Sequence, residues 1–133
     1  MAASNYLENK IRDHIHGVAA YTAPANVYFG LHTANPGEDG NTGEVATASY
    51  ARAAYVNTTA GWNTSALGAS TNKISVRFPD ALESWGTVTH YSKWDAFTGG
   101  NCLEYGSLAG GGTLINSGDV PRFSIGDVSE SVE

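Results

Sequence analysis

Apolar positions recur along this chain with two different periods, and the change falls at Gly17. Before it, Leu7, Ile11 and Ile15 stand at i, i+4 and i+8 and make a narrow apolar stripe, which predicts a helix over residues 5–16. Asn5 followed three residues later by Glu8 has the form of a capping box, and Gly17 supplies a C-terminal stop. A helix this short needs a surface to pack on. The stripe predicts either one end of the chain's own sheet or a neighbouring subunit.

After Gly17 the period is two. Val27, Phe29 and Leu31 alternate with Tyr28, Gly30 and His32 just beyond Pro24. Residues 50–56 read as an Ala-rich second strand. The cleanest alternation lies at 73–78, with Ile74, Val76 and Phe78 facing one way and Lys73, Ser75 and Arg77 the other. Pro79 ends it, having no amide N–H to give to a ladder. Residues 88–94 and 102–108 predict a hairpin around a loop containing Gly99 and Gly100, both tolerant of positive φ. A short strand at 113–115 precedes the turn signal Asn116-Ser117-Gly118-Asp119. Phe123 and Ile125 then mark the apolar face of a last strand, extended by Val128 and Val132.

Six to eight short strands of this kind predict a mainly β fold, an antiparallel β-sandwich or jelly-roll-like barrel with one short N-terminal helix. The expected division is a helix over residues 1–17 and one β domain over 18–133. With no α/β alternation, a doubly wound nucleotide-binding sheet is excluded, and no repeat of solenoid period is present.

Composition narrows the function classes. Charged residues make up 15% of the chain, against about 25% for an average soluble domain. The seven bases are scattered singly in a chain of net charge −6, so no patch exists to neutralise several phosphates, and nucleic acid is not an expected partner. The acids gather at Glu38, Asp39 and Glu44 and again at Asp127, Glu130 and Glu133, where the simplest role is solubility. No apolar run approaches the ~20 residues of a membrane span, and no basic segment followed by an apolar stretch forms a secretion signal.

Candidate chemistry is sparse. Cys102 is the single cysteine and sits in an apolar strand pattern, as a buried structural thiol would. In Gly106-Ser107-Leu108-Ala109-Gly110 the serine stands one position too early for a nucleophile elbow. Gly110-Gly111-Gly112 precedes a strand, whereas a phosphate loop opens a helix and carries a lysine. His14 and His16 are two apart on a helix and cannot share an ion. His32 and His90 lie on different strands, where a shared site is open but hydrogen-bonded structural histidines are the simpler reading. The chain is therefore expected not to be an enzyme and to need no cofactor or metal. One reservation attaches to residues 35–44, whose carboxylates and glycines could suit Ca²⁺, although the spacing is not that of an EF-hand.

That loop, counted over residues 33–49, is longer than an ordinary hairpin connection, and it could reach over a neighbouring subunit. Trp62 stands in an otherwise small and polar segment, either plugging one end of the sandwich or anchoring an interface or a sugar. The candidate assembly contacts are accordingly Leu7, Ile11, Ile15, Glu38, Asp39 and Trp62.

Several segments carry a resemblance in one collinear order. They are residues 5–9 (Asn-Tyr-Leu-Glu-Asn), 20–24 (Ala-Tyr-Thr-Ala-Pro), 27–38 with its Leu-His-Thr-Ala-Asn-Pro-Gly-Glu, 49–52 (Ser-Tyr-Ala-Arg), 84–90 (Ser-Trp-Gly-Thr-Val-Thr-His), 95–103 and 116–119. Together they resemble small bacteriophage virion proteins of the kind labelled tail fibre or minor structural protein. The resemblance implies a component of the phage particle; without a secretion signal it is expected to be made in the host cytoplasm, and its expected partners are other virion proteins (the major capsid protein or tail proteins) and copies of itself. It transfers no catalytic residue. Fibre shafts are long and repetitive and this chain is neither, so the first expectation is a capsid decoration (cement) protein on the outer particle surface. A tail-associated structural, fibre or adaptor protein is the alternative, and a carbohydrate-binding module using Trp62 or Trp85 is a third reading from another class.

Overall fold

The sheet that organises the molecule is centred on β2 (Asn26–His32), the longest strand. The computed structural model describes residues 2–131. Antiparallel neighbours of β2 are β3 (Ala53–Val56) on one side and β7 (His90–Trp94) on the other; β8 (Cys102–Ser107) and β1 (Ala2–Ala3) complete the order β1-β8-β7-β2-β3. In this register Phe29 stands between Ala53 and Lys93, and His32 stands opposite His90. Three further antiparallel pairs join β4 (Ala69–Thr71) to β11 (Ser129–Ser131), β5 (Val76–Arg77) to β10 (Arg122–Phe123), and β6 (Gly86–Val88) to β9 (Thr113–Ile115). Strand accounts for 33% of the molecule and helix for 11%, and the sheets do not close into a barrel. The fold is mainly β.

The period-2 pattern of β2 decides where the core lies. Val27, Phe29 and Leu31 are each at most 3% exposed. Phe29 meets Tyr55, Trp62, Tyr91 and Phe123 at ring-centre distances of 5.7–6.5 Å, mostly edge-on or tilted, as ring quadrupoles favour.

The helix α1 (Asn5–Ile15) forms where the i, i+4 stripe placed it, with a different cap. Ser4 is the N-cap: its backbone is extended and its Oγ accepts the Leu7 amide at 3.2 Å. Asn5 is already helical, because the Ser4 amide is held by the Leu103 carbonyl at the sheet edge and fixes the chain's entry one residue earlier. Gly17, with φ of 71°, ends the helix as expected.

Elsewhere the strands are shorter than the alternation predicts. The 50–56 strand shrinks to β3, since Tyr50 and Arg52 are engaged in loop contacts described below. The 73–78 strand shrinks to β5, leaving Ile74 45% exposed although Val76 and Phe78 are buried. Its approach is bent by Asn72, whose Nδ2 donates to the carbonyls of Ile74 and Ser124 at 2.8 and 3.0 Å. Residues 88–94 are divided at Thr89: Val88 pairs with β9, whereas His90–Trp94 pairs with β2 and β8. Phe123 packs on the core and Val128 is buried, but Ile125 faces solvent at 68% exposure, so it is not on the apolar face. Val132 lies outside the described residues.

Candidate functional site

Polar and aromatic side chains fasten the 33–49 loop to one side of the central sheet. Arg52 donates from Nε and Nη2 to the two carboxylate oxygens of Glu44 at 2.8 and 2.9 Å. Its Nη1 donates to the carbonyls of Ala96 and Gly99 in the 95–101 loop at 3.0 and 2.8 Å. The guanidinium also lies 3.8 Å from the Trp94 ring centre. Four acceptors and one aromatic face are thus served by one planar fork, a geometry an ammonium cannot reproduce. Tyr50 donates to Glu44 at 2.8 Å and accepts the Leu31 amide, which ties the same carboxylate to β2. Burial pushes the Glu44 carboxyl up, but the bonds from Arg52 and Tyr50 outweigh it and hold it below its ordinary value. Burial raises the Tyr50 phenol far above its usual range.

Beneath this layer His32 is fully enclosed. It contacts the Thr42 carbonyl through Nδ1 at 2.8 Å and Ser92 Oγ through Nε2 at 2.7 Å. Burial pushes its pKa below the ordinary histidine value. His90 stands opposite in register but turns to Thr89 Oγ1 at 2.8 Å. No group of three or more His, Cys, Asp or Glu among the described residues is placed to hold a metal ion. Cys102 is buried under Gly40, and burial lifts its thiol to about 12.

The candidate assembly residues are scattered. Leu7 is buried and Ile11 half-buried against the core, so most of the helical stripe is covered by the chain's own sheet. Ile15 remains 72% exposed, next to Val18 at 73%. Glu38 accepts a hydrogen bond from Tyr105 at 2.8 Å, and Asp39 accepts the Asn41 amide at 3.0 Å. Both acids border a small polar recess with Asn5 and Tyr6, at the opposite end of α1 from Ile15. Trp62 is half-buried between Tyr55 and Phe29, with the Lys93 ammonium 4.9 Å from its ring centre. Trp85 is 3% exposed and donates to Ser49 Oγ at 2.9 Å, which leaves no open ring face for a sugar.

Arg52, Tyr50 and Ser92 were not among the residues singled out for function. The available signal was an arginine two positions after a tyrosine in a chain of few charges, and its partners lie 8 to 47 residues away in sequence.

The other feature of note is an open groove of about 370 Å³ between β9 and β10, floored by Leu31, Phe78, Val88 and Phe123 and rimmed by Leu114 and Val120. Among the described residues no helix is long and apolar enough to cross a membrane.

Buried polar groups here hold loops to a β framework, and Ile15 and Val18 are among the aliphatic side chains left exposed. Residues 2–131 match the family described as podophage GP4 fiber I protein gp80, and the chain belongs to that family. It is a bacteriophage virion structural protein, associated with other proteins of the particle. No curated protein matches it.

Proposed function

We propose that this chain is a tail-associated fibre component of the podophage virion, seated on other virion proteins through the exposed end of its helix, and that it catalyses no reaction. The observation that carries this reading is the family match, which runs over the whole described fold and is to a fibre protein. Of the two placements left open by the sequence, it supports the tail-associated one over capsid decoration. The absence of a sequence repeat argues for a fitting or terminal piece of a fibre over a length of shaft.

Docking through the helix end rests on Ile15 and Val18, two aliphatic side chains in water at the C-terminus of α1. Copies of the chain associate through the same kind of surface in this reading, with sedimentation velocity as the check. The decisive test is a phage carrying Ile15→Asp with Val18→Asp. The variant protein is expected to fold and melt like the parent while its copy number in purified particles falls. Normal incorporation would remove the helix end from the interface. Cryo-EM of the same particles tests the placement: density on the capsid lattice and none at the tail would restore the decoration role.

A further inference from the structure

The chemistry enclosed under the 33–49 loop runs in one direction. The Thr42 carbonyl can only accept, so His32 Nδ1 carries the imidazole proton. Nε2 is then an acceptor and receives a hydrogen bond from the Ser92 hydroxyl at 2.7 Å. Ser92 Oγ in turn accepts the Trp94 indole N–H at 2.6 Å. Every position in this chain is filled by a neutral imidazole.

A second proton on Nε2 would meet the Ser92 oxygen, whose own hydrogen would then need a new acceptor. The charged groups facing the site offer little relief. Glu44, on the loop, is already bound by Arg52 and Tyr50. Arg52, ahead of β3, is itself a cation, and the His90 imidazole on β7 is the other titratable group facing the site. Water is the remaining solvent for the charge, and the loop stands between it and His32. Gly40 marks how closely that loop lies on the sheet: a Cβ there would fall 2.7–2.8 Å from Cys102 and Trp94. Gly37, Gly40 and Gly43 all have φ near +75°, which gives the segment points about which it can swing.

We propose that His32 is an acid-released latch: protonation of its imidazole frees residues 34–43 from the sheet and uncovers Trp94 and Cys102. The device is independent of where the protein sits in the particle.

Cys102, the single cysteine, reports the opening. The test is the rate of its modification by dithiodipyridine, which reacts in acid, on the full chain and normalised at each pH to a small peptide thiol. If the open loop lets His32 titrate at its ordinary value of 6.5 while the closed form stays neutral, linkage makes opening about 30-fold more populated at pH 5 than at pH 8. Normalised labelling is expected to rise by that order while far-UV circular dichroism keeps the β signature. His32→Asn keeps a donor for Thr42 and has nothing to protonate, so its labelling is expected to be flat with pH; His90→Asn is expected to respond like the parent. Flat labelling in the parent, an equal rise in His32→Asn, or loss of the sheet together with the loop would each overturn the latch. Should His32→Asn fail to fold, the imidazole ¹⁵N shifts of His32 in the parent decide instead. Their midpoint must coincide with that of Cys102 labelling, and a separate midpoint overturns the proposal.

Discussion

Replacing Arg52 by alanine removes a side chain that joins three separate parts of the molecule. The guanidinium is held by both oxygens of Glu44, by the carbonyls of Ala96 and Gly99, and by the face of Trp94. Its side chain is 7% exposed and that of Glu44 is 24%, so little water is present to replace what is lost. Deleting one partner of such a pair leaves a carboxylate with only Tyr50 as donor, at a cost of about 3–5 kcal/mol. With an unfolding entropy of about 2.1 cal/mol/K per residue, a chain of 133 residues should then melt roughly 10–18 °C lower. Calorimetry or urea unfolding measures this directly. Arg52→Lys is expected to recover less than half, because one ammonium cannot serve four divergent acceptors. A double-mutant cycle with Glu44→Gln should show strong coupling between the two sites. A drop below about 3 °C in Arg52→Ala, within the scatter of an ordinary surface change, would refute the view that this network holds the loops.

Gly40→Ala should cost roughly 2–5 kcal/mol, the sum of a left-handed backbone at φ of 74° and a methyl forced onto Cys102 and Trp94. Gly37→Ala, where the nearest atom is 3.9 Å away, should carry only the backbone part, about 1–2 kcal/mol, so comparing the two by urea midpoints isolates the overlap. Leu7→Asp should unfold or severely destabilise the protein, because Leu7 is buried in the core, whereas Ile15→Asp should leave the melting temperature within a few degrees. Stability measured against pH should be complete above 6.5 and fall below it, as the unfolded chain takes up a proton that the enclosed His32 resists. A second loss should begin below 4.5, where the unfolded Glu44 carboxyl protonates before the folded one, and continue until the folded group titrates.

The amino-acid pattern alone determined the class of fold, the helix and its end, and the inner face of β2. These follow from local rules: side-chain period, the missing N–H of proline, and the tolerance of Gly17 for positive φ. The 102–108 strand, the 113–115 strand and the Asn116–Asp119 turn, where the Asp119 amide returns to the Asn116 carbonyl at 3.1 Å, were legible for the same reason. Alternation failed where distant groups overrode it. Asn72 and Tyr55 pin residues 72–75 into a bend, so Ile74 leaves the inner face its spacing assigned to it. Thr89 marks a change of sheet because its amide is taken by the His32 carbonyl, a partner 57 residues away by numbering and invisible to any local window. The helical stripe shows the division within one element. Spacing placed Leu7, Ile11 and Ile15 on one face, but only the docking of α1 onto β8 decided that Leu7 and Ile11 are covered and Ile15 is not. The loop network lay beyond the sequence altogether. A carboxylate, a guanidinium and two loop carbonyls can meet in space only after four strands have paired, and nothing in their spacing encodes that meeting.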